Sequence, residues 1–201
     1  MTKTVDDSLD DENIDQDKRR FLLTATSVLG GIGAACAVTP LISSWLPSAK
    51  AKAAGAPVEV NIGRMEPGQQ VTLEWRGKPV WIIKRTDTML KQLMQHETSL
   101  RDPDSKVEQQ PGYAKNRNRS IKPEYLVLIG ICTHLGCSPK YVPTLGELGA
   151  SWPGGFYCPC HGSTFDMAGR VFKGVPAPIN LEVPPYSYLS DDVIIIGQDN
   201  D

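Results

Sequence analysis

The sequence lacks a dominant charge of either sign. Its 21 lysines and arginines nearly balance 23 aspartates and glutamates, which leaves a formal net charge of −2. This balance argues against the strongly basic surface that binds nucleic acid non-specifically, so we expect no nucleic-acid partner. Histidine and cysteine are also scarce, with three and five residues. Because four of the cysteines and two of the histidines fall within residues 132–137 and 158–163, we expect one site there.

The composition predicts a mainly β protein. The 201 residues suffice for one domain of ordinary size plus an appendage. Sixteen prolines and eighteen glycines between short β-branched runs argue against a helical domain. Alternating or continuous apolar runs predict strands at residues 58–62, 70–75, 79–84, 125–130, 155–157, 165–166, 169–172, 181–184, 186–189 and 193–196.

Residues 86–123 interrupt this β pattern. A short helix is predicted from Thr86 to about His96, with His96 on a polar, solvated face. Residues 99–123 are polar and rich in proline, which predicts a long surface loop. The loop is also predicted to carry a small exposed basic patch, which is either simply solvated or a docking surface for a partner subunit. Its members are Arg117, Arg119 and Lys122.

The longest stretch without charge runs from Phe21 to Leu46. Residues 18–46 are therefore predicted to form a transmembrane helix, because such a run can cross about 30 Å of hydrocarbon. The preceding Arg19 and Arg20 resemble a twin-arginine export signal and place the N-terminus in the cytoplasm. Small residues at 49–53 offer a cleavage site, but the run exceeds a signal h-region of about 7 to 15 residues, which favours a retained anchor.

The helix is flanked by two segments that are not expected to pack. Residues 1–17 contain seven acidic side chains and one lysine, which predicts a disordered cytoplasmic tail. A mitochondrial transit peptide is poor in acids, so this start argues against one. Residues 47–57 are small or proline without apolar periodicity and predict a flexible hinge before the β domain.

The scarce cysteines and histidines form two hexapeptides. They read Cys-Thr-His-Leu-Gly-Cys from Cys132 and Cys-Pro-Cys-His-Gly-Ser from Cys158. Two cysteines and two histidines suit tetrahedral zinc. They also suit a [2Fe–2S] cluster in which two histidines replace two cysteines on one iron. Ligand types alone leave both open, although zinc does not explain the additional cysteine in each hexapeptide.

The paired hexapeptides resemble the cluster-binding loops of the Rieske iron–sulfur subunit of cytochrome bc1 complexes. The resemblance implies a Rieske-type antiparallel β domain over residues 58–201, with an inserted cluster-binding subdomain at about 131–178. It implies one [2Fe–2S] cluster per chain. The implied ligands are Cys132 and Cys158 on the inner iron and His134 and His161 on the outer iron. A disulfide is implied between Cys137 and Cys160.

The resemblance also implies the function. Quinol, with ubiquinol expected, gives one electron to the cluster with proton release, and the electron passes to cytochrome c1. Histidine ligation raises the potential to about −150 to +300 mV, a range that suits a quinol acceptor. His161 is the implied contact to quinol, and His134 is similarly exposed. Leu135 is implied to form an apolar tip that docks on cytochrome b.

Three further residues are implied to surround the cluster. Ser163 is placed to donate its hydroxyl to a bridging sulfide. Phe165 stands where many members of the family have tyrosine, so one hydrogen-bond donor is absent and a lower potential is expected. Pro176 lies in residues 174–178, which resemble the proline loop that covers the cluster from a third side.

The implied partners are cytochrome b and cytochrome c1 in a dimeric, membrane-anchored complex. We expect a single-pass protein of the bacterial inner membrane, with its β domain in the periplasm, where a disulfide persists. The alternative is the Rieske small subunit of an exported molybdenum oxidase such as arsenite oxidase. The long uncharged run and the long excursion at residues 86–123 favour the bc1 complex.

Overall fold

The structure, a computed structural model, describes residues 15–49, 51 and 55–199. The chain divides into two compact units, one ending at residue 50 and the other beginning at Ala51. Most of the predicted tail and part of the predicted hinge lie outside the described residues. The disordered tail and the flexible hinge therefore stay predictions.

The N-terminal unit contains one long helix, α1 (Gln16–Ser43). The Asp15 side chain accepts hydrogen bonds from two backbone N–H groups and caps the helix, which therefore begins before the predicted residue 18. The helix also ends before the predicted residue 46. Its 28 residues span about 42 Å at 1.5 Å per residue. The hydroxyls of Thr26 and Thr39 donate to carbonyls one turn earlier, which satisfies polar groups in an apolar segment. Among the described residues, α1 is the one helix long and apolar enough to cross a membrane.

The C-terminal unit is built from nine strands within the described residues. They are β1 (Val58–Asn61), β2 (Gln70–Trp75), β3 (Lys78–Lys84), β4 (Tyr125–Ile129), β5 (Lys140–Val142), β6 (Gly155–Tyr157), β7 (Thr164–Phe165), β8 (Tyr186–Ser190) and β9 (Val193–Ile196). They form three antiparallel sheets in the orders β1–β9–β8, β2–β3–β4 and β5–β6–β7. The predicted mainly β class with one N-terminal apolar helix is confirmed.

The sheet β2–β3–β4, here called the base sheet, is the best-packed part of the unit. Arg76 and Gly77 have φ values of 51° and 71°, which is the type I′ geometry that suits a two-residue hairpin between β2 and β3. β4 is buried along its whole length, as its continuous apolar run predicts. Four of its five partners on β3 are buried as well, with Ile82 opposite Val127.

The sheet β5–β6–β7, here called the cluster sheet, meets the base sheet through close contacts. Trp81 on β3 stacks on Phe156 on β6, with ring centroids 5.3 Å apart. Gly130 follows β4, and a Cβ there would lie 2.2 Å from the Trp81 ring, so only glycine lets the chain pass. β4 and β6 each lead into one of the two hexapeptides, so these contacts bring the hexapeptides to one region.

Three local predictions were wrong in extent. The predicted helix at 86–96 is the shorter α2 (Asp87–Gln92), followed by a 3₁₀ turn at Glu97–Ser99. The described backbone of residues 181–184 forms no strand, because Leu181 and Val183 donate to carbonyls of separate loops. β5 was not predicted, since three residues are too few to show a period.

The segment 99–123 lies largely at the surface, as its polarity predicts, but a few buried residues anchor it to the domain. Arg119 is fully buried, so its place in an exposed basic patch was wrong. Its guanidinium donates to carbonyls brought from distant parts of the chain, those of Ala168, Gly169 and Leu181. Burial lowers the pKa of Arg119 to about 10, so it remains charged at neutral pH.

Two other buried arginines hold the same region. Arg85 donates to the carbonyls of Asn118, Pro123 and Met167. Arg170 forms an ion pair with the Asp166 carboxylate at 2.8 Å and reaches the carbonyls of Leu93 and Pro103. The segment is therefore tied to the turn that follows β7.

Candidate metal centre

The two hexapeptides form loops with matching backbone hydrogen bonds. In each, the first N–H donates to the sixth carbonyl, over 2.7 Å in the first loop and 2.8 Å in the second. The fifth residue is a glycine in both, and its N–H returns to the first carbonyl. Gly136 and Gly162 have φ values of 83° and 75°, which glycine adopts without strain. The first residues, Cys132 and Cys158, therefore occupy equivalent positions.

The four cysteines separate into two pairs. Cys132 and Cys158 are free thiols, each 2% exposed. Cys137 and Cys160 form the disulfide that the resemblance implies, with Cα atoms 6.7 Å apart. The sulfur atoms of Cys137, Cys158 and Cys160 lie within 4.8 Å of one another, so the disulfide lies beside the Cys158 thiol. Burial raises the pKa of the Cys132 thiol, and the Cys158 thiol hydrogen-bonds to it.

The two histidines lie side by side. The ring centroids of His134 and His161 are 4.7 Å apart, with the planes nearly perpendicular at 87°. His161 is exposed and His134 is half-buried. The third histidine, His96, is half-buried, with Nε2 lying 3.2 Å from the Gln92 side-chain oxygen. The two imidazoles of the hexapeptides thus form a nitrogen pair near the surface.

Ser163 connects a buried thiol to the proline loop at residues 174–178. Its side chain is fully buried, and its Oγ accepts the Ala177 N–H over 3.0 Å. Burial has the larger effect and raises the pKa of the Cys132 thiol, and the neighbouring Ser163 side chain opposes it by lowering that pKa. Thr133 donates to the Ile179 carbonyl over 2.7 Å, so both hexapeptides contact the proline loop or its flank.

The remaining predicted site residues differ in exposure. Leu135 is 71% exposed, which is unusual for a leucine and agrees with an apolar tip. Pro176 is also exposed. Phe165 is fully buried and lies opposite Phe156 in the cluster sheet. That the Phe165 ring faces a cluster stays a prediction.

Sequence reasoning missed two polar residues around these loops, Thr133 and Asn180. Asn180 is 1% exposed and hydrogen-bonds on both sides of the proline loop. The visible signal was a polar residue between Ile179 and Leu181 in an otherwise apolar run. A buried asparagine requires partners, but the sequence does not reveal which ones.

The donor set fits a [2Fe–2S] cluster better than a single zinc ion. Two thiols lie together in the interior and two imidazoles lie together near the surface. A cluster with cysteines on one iron and histidines on the other needs this separation, whereas zinc draws all four donors around one atom. The disulfide accounts for the two additional cysteines. The fold and the donor set define a Rieske-type iron–sulfur protein.

Comparison with known proteins agrees with this class. The Rieske [2Fe-2S] domain model matches residues 58–185, and the model described as Ubiquitinol-cytochrome C reductase Fe-S subunit TAT signal matches residues 10–48. The ubiquinol-cytochrome c reductase iron-sulfur subunit of Allochromatium vinosum is 56% identical over 94% of this chain and 92% of its own. That of Bradyrhizobium diazoefficiens is 42% identical over 90% and 94%. The chain belongs to the family of ubiquinol–cytochrome c reductase iron–sulfur subunits.

The comparisons also include one solved structure, and the family models bear on two further predictions. A solved hyperthermophilic respiratory Complex III contains a chain similar over 87% of this one and 98% of its own, at 25% identity and a TM-score of 0.47. The family models confirm the twin-arginine signal and the [2Fe–2S] domain, which removes the zinc alternative. The export signal and α1 together fit a membrane-anchored, exported Rieske domain.

Proposed function

We propose that this chain is the electron-carrying subunit of a cytochrome bc1 complex. It takes one electron from quinol, coupled to proton release, and passes it to cytochrome c1. The observation that carries the proposal is the imidazole pair at the surface beside two buried thiols. Relatives named as ubiquinol-cytochrome c reductase iron-sulfur subunits support it.

Four side chains are proposed to hold the cluster. Cys132 and Cys158 bind the inner iron, because they are the buried free thiols. His134 and His161 bind the outer iron, because their rings are adjacent and nearer the solvent. When bound, a [2Fe–2S] cluster with this ligation supplies a one-electron acceptor of raised potential.

The two histidines are proposed to meet the substrate. His161 is the more exposed, so one of its ring nitrogens can approach a quinol oxygen and hold the transferred proton. Leu135, adjacent to His134 in the chain, presents an apolar side chain to cytochrome b. An exposed leucine beside a polar contact suits a docking surface that must also release its partner.

Second-layer hydrogen bonds are proposed to tune the site. The Ser163 oxygen accepts a backbone N–H, which leaves its proton free to point at a sulfur atom. A donor aimed at sulfur stabilises the more negative, reduced state and raises the potential. The Cys137–Cys160 disulfide holds the two loops together without ligating iron.

The proposed topology follows from the helix and its flanks. α1 crosses the bacterial inner membrane once, with Arg19 and Arg20 on the cytoplasmic side and the Rieske domain in the periplasm. Residues 47–57 serve as a hinge that lets the domain move between cytochrome b and cytochrome c1. The complex is dimeric, and ubiquinol is its substrate.

Electron paramagnetic resonance of dithionite-reduced membranes tests the proposal. Membranes that contain the wild-type protein are expected to give a Rieske spectrum and to reduce cytochrome c with electrons from quinol. A signal without that activity would favour the molybdenum-oxidase alternative. Alkaline carbonate extraction separates the two further, because an integral anchor resists it and a relay inside a soluble enzyme does not.

A further inference from the structure

The proline loop is bound by the segment 99–123 as well as by the hexapeptides. An antiparallel bridge joins Leu100 to Phe172, and two backbone hydrogen bonds of 2.9 and 2.8 Å flank it. The Arg101 guanidinium donates to the Val175 carbonyl over 3.2 Å. The chain that enters the proline loop therefore runs against the start of the segment.

Asn180 follows the proline loop and closes its base. Its Oδ1 accepts the Val171 N–H over 2.9 Å, which joins the two ends of the loop. Its Nδ2 donates to the Asp102 carbonyl over 3.1 Å and to the Ser105 hydroxyl over 3.4 Å. This one buried amide uses its acceptor and both donors to connect the loop to the segment.

The loop that Asn180 closes reaches the metal centre through short contacts. The Ala177 N–H donates to the Ser163 hydroxyl oxygen over 3.0 Å, and Ser163 is the last residue of the second hexapeptide. The Ile179 carbonyl accepts from Thr133 in the first hexapeptide. A displacement of the base of the loop would therefore change the geometry at Ser163.

We propose that Asn180 is a positioning residue for the metal centre. By fixing the proline loop, it sets the Ala177–Ser163 hydrogen bond and the direction in which the Ser163 hydroxyl points. The inference rests on the proposed function, because it takes Cys132 as a cluster ligand. Asn180→Asp keeps the shape but removes both donors, and Asn180→Leu removes the acceptor as well.

Hydrogen exchange and redox titration of the full-length protein in its membrane complex test this role. In both Asn180 variants, amides of the peptide 171–181 should exchange at least about tenfold faster than in the wild type. The midpoint potential should fall, because a Ser163 hydroxyl that rotates freely donates less to sulfur. The matched control is Asn116→Asp, since Asn116 donates only to the Tyr113 and Ser120 carbonyls within the segment. The control should leave both quantities at the wild-type value.

If the Asn180 variants fail to accumulate, Arg101→Ala tests whether contacts with the segment 99–123 hold the proline loop in place. Arg101 is exposed, and its loss should raise exchange about threefold in the same peptide without unfolding the domain. Wild-type exchange in that peptide would overturn the inference, as would faster exchange with an unchanged potential. Failure of the proposed function looks different, because wild-type membranes would then lack a Rieske spectrum altogether.

Discussion

The base sheet and the cluster sheet are held together in different ways. Base-sheet strands have six, seven and five residues, and β4 is buried throughout. Cluster-sheet strands have only three, three and two residues. Around them lie the disulfide and the buried Arg170–Asp166 ion pair. The base sheet thus relies on apolar burial, while the cluster sheet relies on cross-links between short strands.

The magnitudes agree with this division. Burying one large apolar side chain contributes about 1.5–3 kcal/mol, and a disulfide that closes a loop of this size contributes about 3 kcal/mol on the chain-entropy model. One cross-link therefore contributes about as much free energy of unfolding as one or two buried core side chains. The base sheet has many such side chains and tolerates the loss of one, whereas the cluster sheet is expected to lose its order when one cross-link is removed.

The largest effect is expected from His161→Ala. Removal of a proposed iron ligand should abolish the Rieske spectrum, while the base sheet should stay folded because its own buried apolar side chains hold it together. Electron paramagnetic resonance and far-ultraviolet circular dichroism of the same sample measure both. His96→Ala is the control and should keep the spectrum, because His96 lies outside the two hexapeptides. A retained Rieske signal in His161→Ala would refute the ligand assignment.

The next largest effect is expected from Arg170→Met. This change leaves the buried Asp166 carboxylate without its ion-pair partner, which typically costs about 3–5 kcal/mol. Urea unfolding of the exported domain measures the loss. The double variant Arg170→Met with Asp166→Asn should recover part of it, because no unpaired charge remains. Wild-type stability of the single variant would show that the ion pair does not hold the cluster sheet.

Removal of the disulfide comes third. Replacing Cys137 and Cys160 together by serine should cost about 3 kcal/mol. The cost should appear locally, so the Rieske spectrum is lost on heating before the base sheet unfolds. Leu126→Ala in β4 is the matched contrast, with a comparable cost of about 2–5 kcal/mol. In Leu126→Ala, the Rieske spectrum and the folded signal of the base sheet should be lost together, at one temperature below that of the wild type. Separate transitions in this variant would contradict the proposed difference between the two sheets.

The two sheets also differ in how far the sequence predicts them. β4 is a continuous apolar run, and each hexapeptide is a local pattern, so strand and candidate ligands follow from neighbouring residues. Arg119 and Asn180 are different, because their burial depends on carbonyls that the fold brings from distant positions. Polarity therefore predicted the surface position of residues 99–123 but not the buried residues that anchor them. β5 is too short to show a period, so it was not predicted.

The smallest expected effects are shifts of potential that leave stability almost unchanged. A hydrogen bond to a charged group is worth about 1.5–3 kcal/mol, and only the difference between the two redox states counts. If that difference is about 1 kcal/mol, the shift is about 40 mV for one electron. Ser163→Ala should lower the potential by this order, because it removes a buried hydroxyl whose proton is available to donate to sulfur. Redox titration followed by circular dichroism at one pH measures it.

Phe165→Tyr should act in the opposite direction, because a hydroxyl on a ring that faces the cluster adds a donor to sulfur. Phe165 and Ser163 are both fully buried. A change of potential in either variant therefore does not come from a change at a solvent-exposed side chain. Ser187→Ala is the control, since it removes a buried hydroxyl from β8 that has no hydrogen-bond partner in the described part of the chain. An unchanged or lower potential in Phe165→Tyr would mean that the ring points away from the cluster. The tuning of the site would then depend on Ser163 and on the loop that orients it.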